Sequence, residues 1–226
     1  MLSRRASLQV AWTISHNSRW SRKLVRVPSA GTNSVEAMNL IVVDLEATCW
    51  DTARPRSQME VIEIGAVRLD ADLTIVDEFA CFVRPVVEPK LSQFCTALTT
   101  IQQADVDGAD MFPAVFARFL EWVGTGPYRL CSWGFFDVAQ FRLDCTRFGL
   151  VVPEQFESDH LNIKQVFADW KGVRRCGMAA ALDPLGLPLA GTHHRGIDDA
   201  RNIARIVQQT LPNVVVACPR PPLIDP

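Results

Sequence analysis

Four carboxylates and one histidine are spaced along the sequence where they could carry out chemistry together. Asp44 and Glu46 follow an apolar run, Asp137 follows a Ser-Trp-Gly segment, and His194 precedes Asp199 by five residues. Carboxylate oxygens are ligands for hard divalent cations, and a histidine titrates near neutral pH and can accept a proton from water. Two cations and a general base can together hydrolyse a phosphodiester bond. The pattern therefore predicts a metal-dependent hydrolytic site.

The segments that must bring these residues together are typical of a single α/β unit. The apolar run at 40–43 predicts a central strand buried on both faces. Strands at 61–69 and 75–83 are separated by a short loop and predict an antiparallel hairpin, and a fourth strand is predicted at 129–133. Helical spacing begins near residue 91 and recurs at 100–104, 112–123, 138–148, 163–170, 178–185 and 196–210. This order predicts an α/β fold with a mixed sheet flanked by helices.

Asp44 and Glu46 are expected to face the same side of the central strand, because side chains two residues apart on a strand point the same way. They follow the apolar run, at the carboxyl end of the strand, where open α/β sheets bind ligands. A D-x-E pair by itself is more typical of solvent-facing acids at a strand end. The interpretation of this pair as metal ligands depends on whether the other carboxylates also reach this edge of the sheet.

The last predicted helix distinguishes two adjacent acids. Asp199 lies at the border of the apolar face, whereas Asp198 lies on the opposite side in a solvated network with Arg201, Asn202 and Arg205. A carboxylate that faces inward needs a partner, and a metal shared with Asp44 would provide one. Of the two histidines ahead of this helix, His193 and His194, the five-residue spacing to Asp199 favours His194 as the base.

Composition divides the chain into three parts. Residues 1–37 contain six Lys and Arg residues and one acid, and predict a basic, disordered N-terminal extension. A mitochondrial transit peptide, a translated region upstream of a start at Met38, and a disordered arm all fit this segment. Residues 38–212 are predicted to form the catalytic domain, and residues 213–226 a Pro-rich C-terminal tail.

Charge and cysteine content limit the partners. Without residues 1–37 the chain has 17 basic and 24 acidic residues, a net charge of −7, so nucleic acid must be held locally by metals and a few side chains. No apolar stretch approaches the roughly 18 residues of a membrane span, and no membrane partner is expected. Seven scattered cysteines without a C-x-x-C pair indicate a reducing compartment and no zinc site. The expected location is cytoplasmic, or mitochondrial if residues 1–37 are a transit peptide, and the oligomeric state is not predicted.

Four segments of the sequence carry a resemblance to a known family. They are VDLEATCW at 43–50, VIEIGA at 61–66, SWGFFD at 132–137 and HRGIDDARN at 194–202. Together they resemble the DEDDh 3′–5′ exonucleases of the RNase T/DnaQ-like superfamily, most closely the branch of histone-mRNA and siRNA 3′ exonucleases. CTALTTI at 95–101 is also similar to a loop segment of that branch. The similarity extends over residues 39–209, with the motifs in the family's order.

The resemblance implies an RNase H-like fold with a five-stranded mixed sheet. It also implies two divalent cations, Mg²⁺ or Mn²⁺, held at the positions of Asp44, Glu46, Asp137 and Asp199, with His194 activating the attacking water. The expected reaction is removal of nucleoside 5′-monophosphates from single-stranded RNA 3′ ends. A DNA-directed or proofreading exonuclease of the same fold, and a non-catalytic nucleic-acid-binding module, are the alternatives.

Five residues are candidates for substrate contacts. Phe136 matches a family aromatic that would lie beside the terminal base, and Leu98 would lie on the other side of that base. The backbone near Ala47 and Thr48 would bind the 3′ hydroxyl. Glu63 would bind a ribose hydroxyl, or else it is an inward-facing acid satisfied by backbone amides. A basic cluster at 171–175 would contact upstream phosphates, or else is a solvated loop.

Overall fold

The computed structural model describes residues 9–14, 20–25 and 38–214. The chain divides into two compact units, Met1–Val35 and Glu36–Pro226. In the first unit, strands β1 (Gln9–Ile14) and β2 (Trp20–Val25) pair as an antiparallel hairpin, which the sequence analysis did not predict. The rest of the predicted N-terminal extension and most of the predicted C-terminal tail lie outside the described residues.

A five-stranded sheet forms the centre of the second unit. Its strands are β3 (Asn39–Ala47), β4 (Val61–Leu69), β5 (Ile75–Phe82), β6 (Tyr128–Ser132) and β7 (Leu161–Asn162). They are ordered β5-β4-β3-β6-β7, with antiparallel β5-β4 and β4-β3 pairs and parallel β3-β6 and β6-β7 pairs. The predicted mixed five-stranded sheet is confirmed, with β3 at its centre.

The described helices cover both faces of the sheet. They are α1 (Gln93–Thr99), α2 (Gln103–Asp107), α3 (Phe112–Val123), α4 (Phe136–Arg147), α5 (Gln155–Ser158), α6 (Ile163–Lys171), α7 (Met178–Leu182) and α8 (Gly196–Thr210). Helix α4 begins two residues earlier than predicted, so that Asp137 lies in its first turn. Within the described part of the chain, no helix is both long and apolar enough to cross a membrane.

Alternation along β3 determines which helices its side chains meet. Ile41 and Val43 are fully buried in a cluster that includes α3 and α4, whereas Val42 belongs to the cluster that includes α6, α7 and α8. Asp44 and Glu46 continue the even-numbered series. Because alternate residues share a face, the two acids point to the same side of the sheet as α8.

The start of α8 lies directly against the sheet, backbone to backbone. A Cβ atom on Gly65 of β4 would lie 2.0 Å from the Gly196 carbonyl carbon and 2.1 Å from the Ile197 nitrogen. A Cβ on Gly196 would lie 3.0 Å from the Asp44 carbonyl oxygen. Only glycine permits this approach. The contact places the first turn of α8, which contains Asp199, beside the end of β3.

Candidate active site

The predicted carboxylates converge in one cleft at the end of β3. Asp44, Glu46 and Asp199 each offer a carboxylate oxygen, and these atoms all lie within 4.8 Å of one another. Asp137 lines the same cleft, together with His193 and His194. We call this site the carboxylate cleft. The structure therefore brings together all five residues that the sequence analysis placed in the hydrolytic site.

Asp137 reaches the cleft from the first turn of α4. Its carboxylate accepts a hydrogen bond of 3.0 Å from the Leu45 backbone N–H, which lies between the two acids of β3. This bond joins α4 to the central strand at the point where Asp44 and Glu46 emerge. Burial raises the pKa of Asp137 to about 6, and the Leu45 N–H partly offsets that rise.

The electrostatics of the cleft fit divalent cations. Burial raises the pKa of Asp44, and the negative charges of Asp137, Glu46, Asp199 and Glu63 raise it further. The pKa of Glu46 rises to about 8 and that of Asp199 is also raised, in both cases mainly by burial. Oxygen ligands that repel one another in a buried site are stabilised as anions when they share a hard cation. The donor set is therefore chemically suited to hard divalent cations.

The two histidines lie side by side over Asp199. Their rings stack with centroids 3.9 Å apart, and the His194 backbone N–H donates to Asp199 Oδ2 at 3.0 Å. His194 has a left-handed backbone with φ of 62°. Burial lowers the pKa of His194, which favours a neutral imidazole able to accept a proton.

His193 makes a contact that the sequence analysis did not foresee. Its Nδ1 atom lies 2.9 Å from Asp199 Oδ2 and 3.2 Å from Oδ1. Spacing along the chain favoured His194, and it gave no sign that the neighbouring ring would meet the same carboxylate. Ring nitrogens of both histidines lie within 4.8 Å of an Asp199 carboxylate oxygen, and the left-handed φ of His194 is uncommon for a residue other than glycine.

Asp198 points away from the cleft, as predicted. It pairs with Arg201 at 2.9 Å and accepts the Thr192 N–H at 2.8 Å. Asn202, which was expected in the same solvated network, is instead fully buried. Its amide group donates to and accepts from the Ala190 backbone, at 2.8 and 3.1 Å, because the loop before α8 folds back over that face.

Glu63 holds the start of α8. Its buried carboxylate accepts hydrogen bonds from the Gly196 N–H at 2.9 Å and from Arg195 at 3.1 and 3.2 Å. This agrees with the inward-facing acid that the sequence analysis considered, with a guanidinium added to the backbone amide. A contact from Glu63 to a ribose stays a prediction.

The other predicted substrate contacts differ in how they are exposed. Phe136 lines the carboxylate cleft and is 37% exposed. Leu98, on α1, is 36% exposed, whereas Ala47, the last residue of β3, and Thr48, which follows it, are buried. Ala47, Thr48, Glu63 and Leu98 are not among the residues that line the cleft. Of the five candidates, Phe136 alone lies in the cleft wall.

Thr48 has a structural partner, which leads to a prediction about stability. Its Oγ1 atom accepts the Glu60 N–H at 3.0 Å, and its own N–H donates to Glu60 O at 2.8 Å. Thr48→Val keeps the shape but leaves a buried N–H without its acceptor. We expect a loss of about 1–2 kcal/mol in the free energy of unfolding, measured by urea denaturation. Unchanged stability would show that this hydrogen bond contributes nothing.

Comparison with known proteins assigns the chain to a family. Residues 41–207 match the exonuclease model of the RNase T family. Human 3′-5′ exoribonuclease 1 is 35% identical over 182 residues, which cover 76% of this chain and 52% of the human protein. The 3′-5′ exonuclease eri1 of Schizosaccharomyces pombe is 31% identical over 217 residues, covering 80% of this chain and 71% of that protein. The chain thus spans about half the length of its human relative.

Solved structures agree with this assignment. A 3′-exonuclease studied for recognition of the histone mRNA stem-loop superposes with a TM-score of 0.74 at 30% identity, covering 78% of this chain and 83% of that one. The nuclease domain of a DEDDh family member bound to rAMP superposes with a TM-score of 0.73 at 33% identity, covering 79% and 94%. The chain therefore belongs to the RNase T family of exonucleases, as a member of its DEDDh branch with an RNase H-like fold.

Proposed function

We propose that this protein is a metal-dependent 3′–5′ exoribonuclease that removes nucleoside 5′-monophosphates from single-stranded RNA 3′ ends. The observation that carries the proposal is the convergence of Asp44, Glu46 and Asp199 within 4.8 Å, with Asp137 and His194 in the same cleft. The preference for RNA is supported by the human relative, which is named an exoribonuclease, and by the related structure that is bound to rAMP.

Asp44, Glu46, Asp137 and Asp199 would hold two divalent cations, Mg²⁺ or in its place Mn²⁺. Bound in such a site, cations acidify water and neutralise charge on the phosphate and the leaving oxygen. The protein contributes a fixed set of oxygens, because the Leu45 N–H holds Asp137 and the His194 N–H holds Asp199. Ligands held in this way lose little entropy when they bind.

His194 is the proposed general base. Its lowered pKa keeps the ring neutral, so that a ring nitrogen can take the proton of the attacking water. A ring nitrogen of His194 lies within 4.8 Å of a carboxylate oxygen of Asp199, one of the proposed cation ligands. The bond that breaks joins the terminal phosphate to the preceding 3′ oxygen, and the product carries a 5′ phosphate.

Phe136 is the proposed wall for the terminal base. An exposed aromatic ring can stack on any base, so it supports binding of flexible ends without strict sequence preference. Phe136 directly precedes Asp137 in the first turn of α4. The proposed base-binding side chain and a proposed cation ligand are therefore adjacent in the chain.

The function is tested by a time course on 5′-labelled substrates in the presence and absence of Mg²⁺. Single-stranded RNA should give a ladder that shortens from the 3′ end, with nucleoside 5′-monophosphates as the released product. Single-stranded DNA and a stem-loop of the same length test the preference for RNA and the tolerance of duplex. Equal rates on RNA and DNA would contradict the RNA preference, and internal cleavage would contradict an exonuclease.

Cation binding should also stabilise the fold. A ligand present at 100 times its Kd stabilises the native state by about 2.7 kcal/mol, which corresponds to a Tm rise of about 5–10 °C for a domain of this size. Mg²⁺ should therefore raise the Tm of the EDTA-treated protein, measured by calorimetry. Asp44→Asn should remove most of this shift, whereas Asp72→Asn, in the exposed turn between β4 and β5, should keep it. An equal shift in both variants would place the cations elsewhere.

A further inference from the structure

The carboxylate cleft has an unusual charge balance for a site that must receive RNA. It contains four acids, and none of the residues that line it is Lys or Arg. Cations can neutralise these acids, but the nucleotides upstream of the scissile bond also carry one negative charge each. A protein with a net charge of −7 outside its first 37 residues has no general attraction for them. A positively charged side chain at the rim of the cleft would therefore contribute strongly to binding the upstream phosphates.

Arg56 lies at this rim. Its Nη2 atom donates to the Phe136 carbonyl oxygen at 2.7 Å, and its guanidinium carbon lies 4.5 Å from the centroid of the Phe136 ring. Its charge is close enough to lower the pKa of Asp137. Phe136 thus lines the cleft and also contacts a guanidinium.

The turn that carries Arg56 is anchored to α4. Arg147 donates to the carbonyl oxygens of Ser57 and Met59, both at 2.9 Å, and Gln140 donates to Met59 O at 3.1 Å. Arg147 is itself paired with Asp144, a fully buried acid of the same helix. The short helical turn Arg56–Gln58 is consequently fixed to the helix that begins with Phe136 and Asp137.

The guanidinium of Arg56 has donors to spare. An arginine has five N–H donors, and within the described residues Arg56 uses one of them, with no ion pair to an acid. Its neighbour Arg54 provides a contrast, because it stacks on Trp50 at 4.4 Å and is paired with Glu88 at 2.9 Å. Both arginines are exposed and lie in one loop. Within the described residues, Arg56 is the one of the two that has no ion-pair partner and lies beside the cleft.

We infer that Arg56 binds a backbone phosphate of RNA upstream of the scissile bond. This inference rests on the proposed exonuclease function. The scissile phosphate must lie among the carboxylates, whereas Arg56 is not among the lining residues and lies against the Phe136 ring. A strand that passes the Phe136 ring brings its next phosphate to this guanidinium. Arginine suits the role because its planar fork can stack and bind phosphate at once.

The test compares Arg56→Gln with Arg54→Gln on two substrates. One is a short single-stranded RNA, and the other is the 4-nitrophenyl ester of thymidine 5′-monophosphate, which has one phosphodiester and no upstream phosphate. Arg56→Gln should raise KM for RNA about tenfold or more, with kcat little changed, and should leave the kinetics on the ester unchanged. Arg54→Gln should behave as wild type on both. Arg56→Lys, which keeps the charge but loses the fork, should give an intermediate KM.

The salt dependence of kcat/KM for RNA distinguishes a phosphate contact from a structural role of Arg56, because a structural role would not change it. Loss of one phosphate contact should flatten the slope of log(kcat/KM) against log[NaCl] for RNA by about 0.7. An unchanged slope in Arg56→Gln would overturn the inference. An equal fall in kcat on both substrates would also overturn it, because Arg56 would then act through Asp137.

Activity on the two substrates tests the exonuclease function, and RNA binding tests the role of Arg56 separately. If the wild-type protein hydrolyses neither substrate, the exonuclease proposal fails on its own account. Fluorescence anisotropy with a labelled single-stranded RNA then still tests Arg56, since binding needs no turnover. A Kd about tenfold higher for Arg56→Gln than for Arg54→Gln supports the phosphate contact, and equal Kd values contradict it.

Discussion

Asp44→Asn is expected to reduce RNA hydrolysis by about 10³-fold or more, equivalent to about 4 kcal/mol of transition-state stabilisation. Asp44 lies between the other acids: its carboxylate oxygen is within 4.8 Å of those of Glu46 and Asp199, and it is also close enough to Asp137 to feel its charge. Removing its charge should weaken both proposed cation sites at once. The measurement is a single-turnover rate on 5′-labelled RNA at saturating Mg²⁺.

The same variant should keep its fold, and this separates a catalytic role from a structural one. Burial and neighbouring negative charges raise the pKa of Asp44, so an ionised Asp44 destabilises the metal-free protein. The Tm of Asp44→Asn in EDTA should therefore equal or exceed that of wild type. Asp72→Asn serves as the control for charge removal. Wild-type turnover in Asp44→Asn, or a large fall in its Tm, would contradict the assignment.

Gly65→Ala is expected to destabilise the protein by about 3 kcal/mol and to impair catalysis. The added Cβ would overlap backbone atoms of Gly196 and Ile197, which lie 2.0 and 2.1 Å away, and backbone cannot move aside as a flexible side chain can. The first turn of α8 would have to shift, and Asp199 would shift with it. Urea denaturation gives the change in stability, and kcat on RNA gives the effect on the site.

Gly126→Ala is the matched control for this prediction. Gly126 has no atom within 4 Å of a Cβ built on its backbone, and its φ is not in the left-handed region. It should therefore retain wild-type stability and activity. If Gly65→Ala were as stable and active as Gly126→Ala, the close contact between α8 and β4 would not be required to position Asp199.

The sheet and the cleft could be predicted from sequence where local periodicity determines them. The apolar run of β3 and the D-x-E at its end place two acids on one face, and the apolar stripe of α8 separates Asp199 from Asp198. Periodicity fails for β7, because a strand of two residues has no period. It also placed the start of α4 two residues late, since the aromatic residues 135 and 136 do not follow the helical stripe.

Contacts between distant parts of the chain were beyond sequence reasoning. Glu63 and Arg195 are 132 residues apart, and Arg56 and Phe136 are 80 apart. An acid on β4 gives no sign of its partner, and an arginine in a loop is usually only solvated. These pairs depend on which segments the fold brings together, so three-dimensional packing was needed to identify them.

The central claim, that Asp44, Glu46, Asp137 and Asp199 hold a pair of catalytic cations, is tested most directly by anomalous diffraction. Crystals grown with Mn²⁺ and a nucleoside 5′-monophosphate should show two anomalous peaks among these carboxylates. Crystals of Asp44→Asn should lose at least one of them. Wild-type crystals in which Mn²⁺ binds only at other sites, with no anomalous peak beside Asp44, would contradict the account.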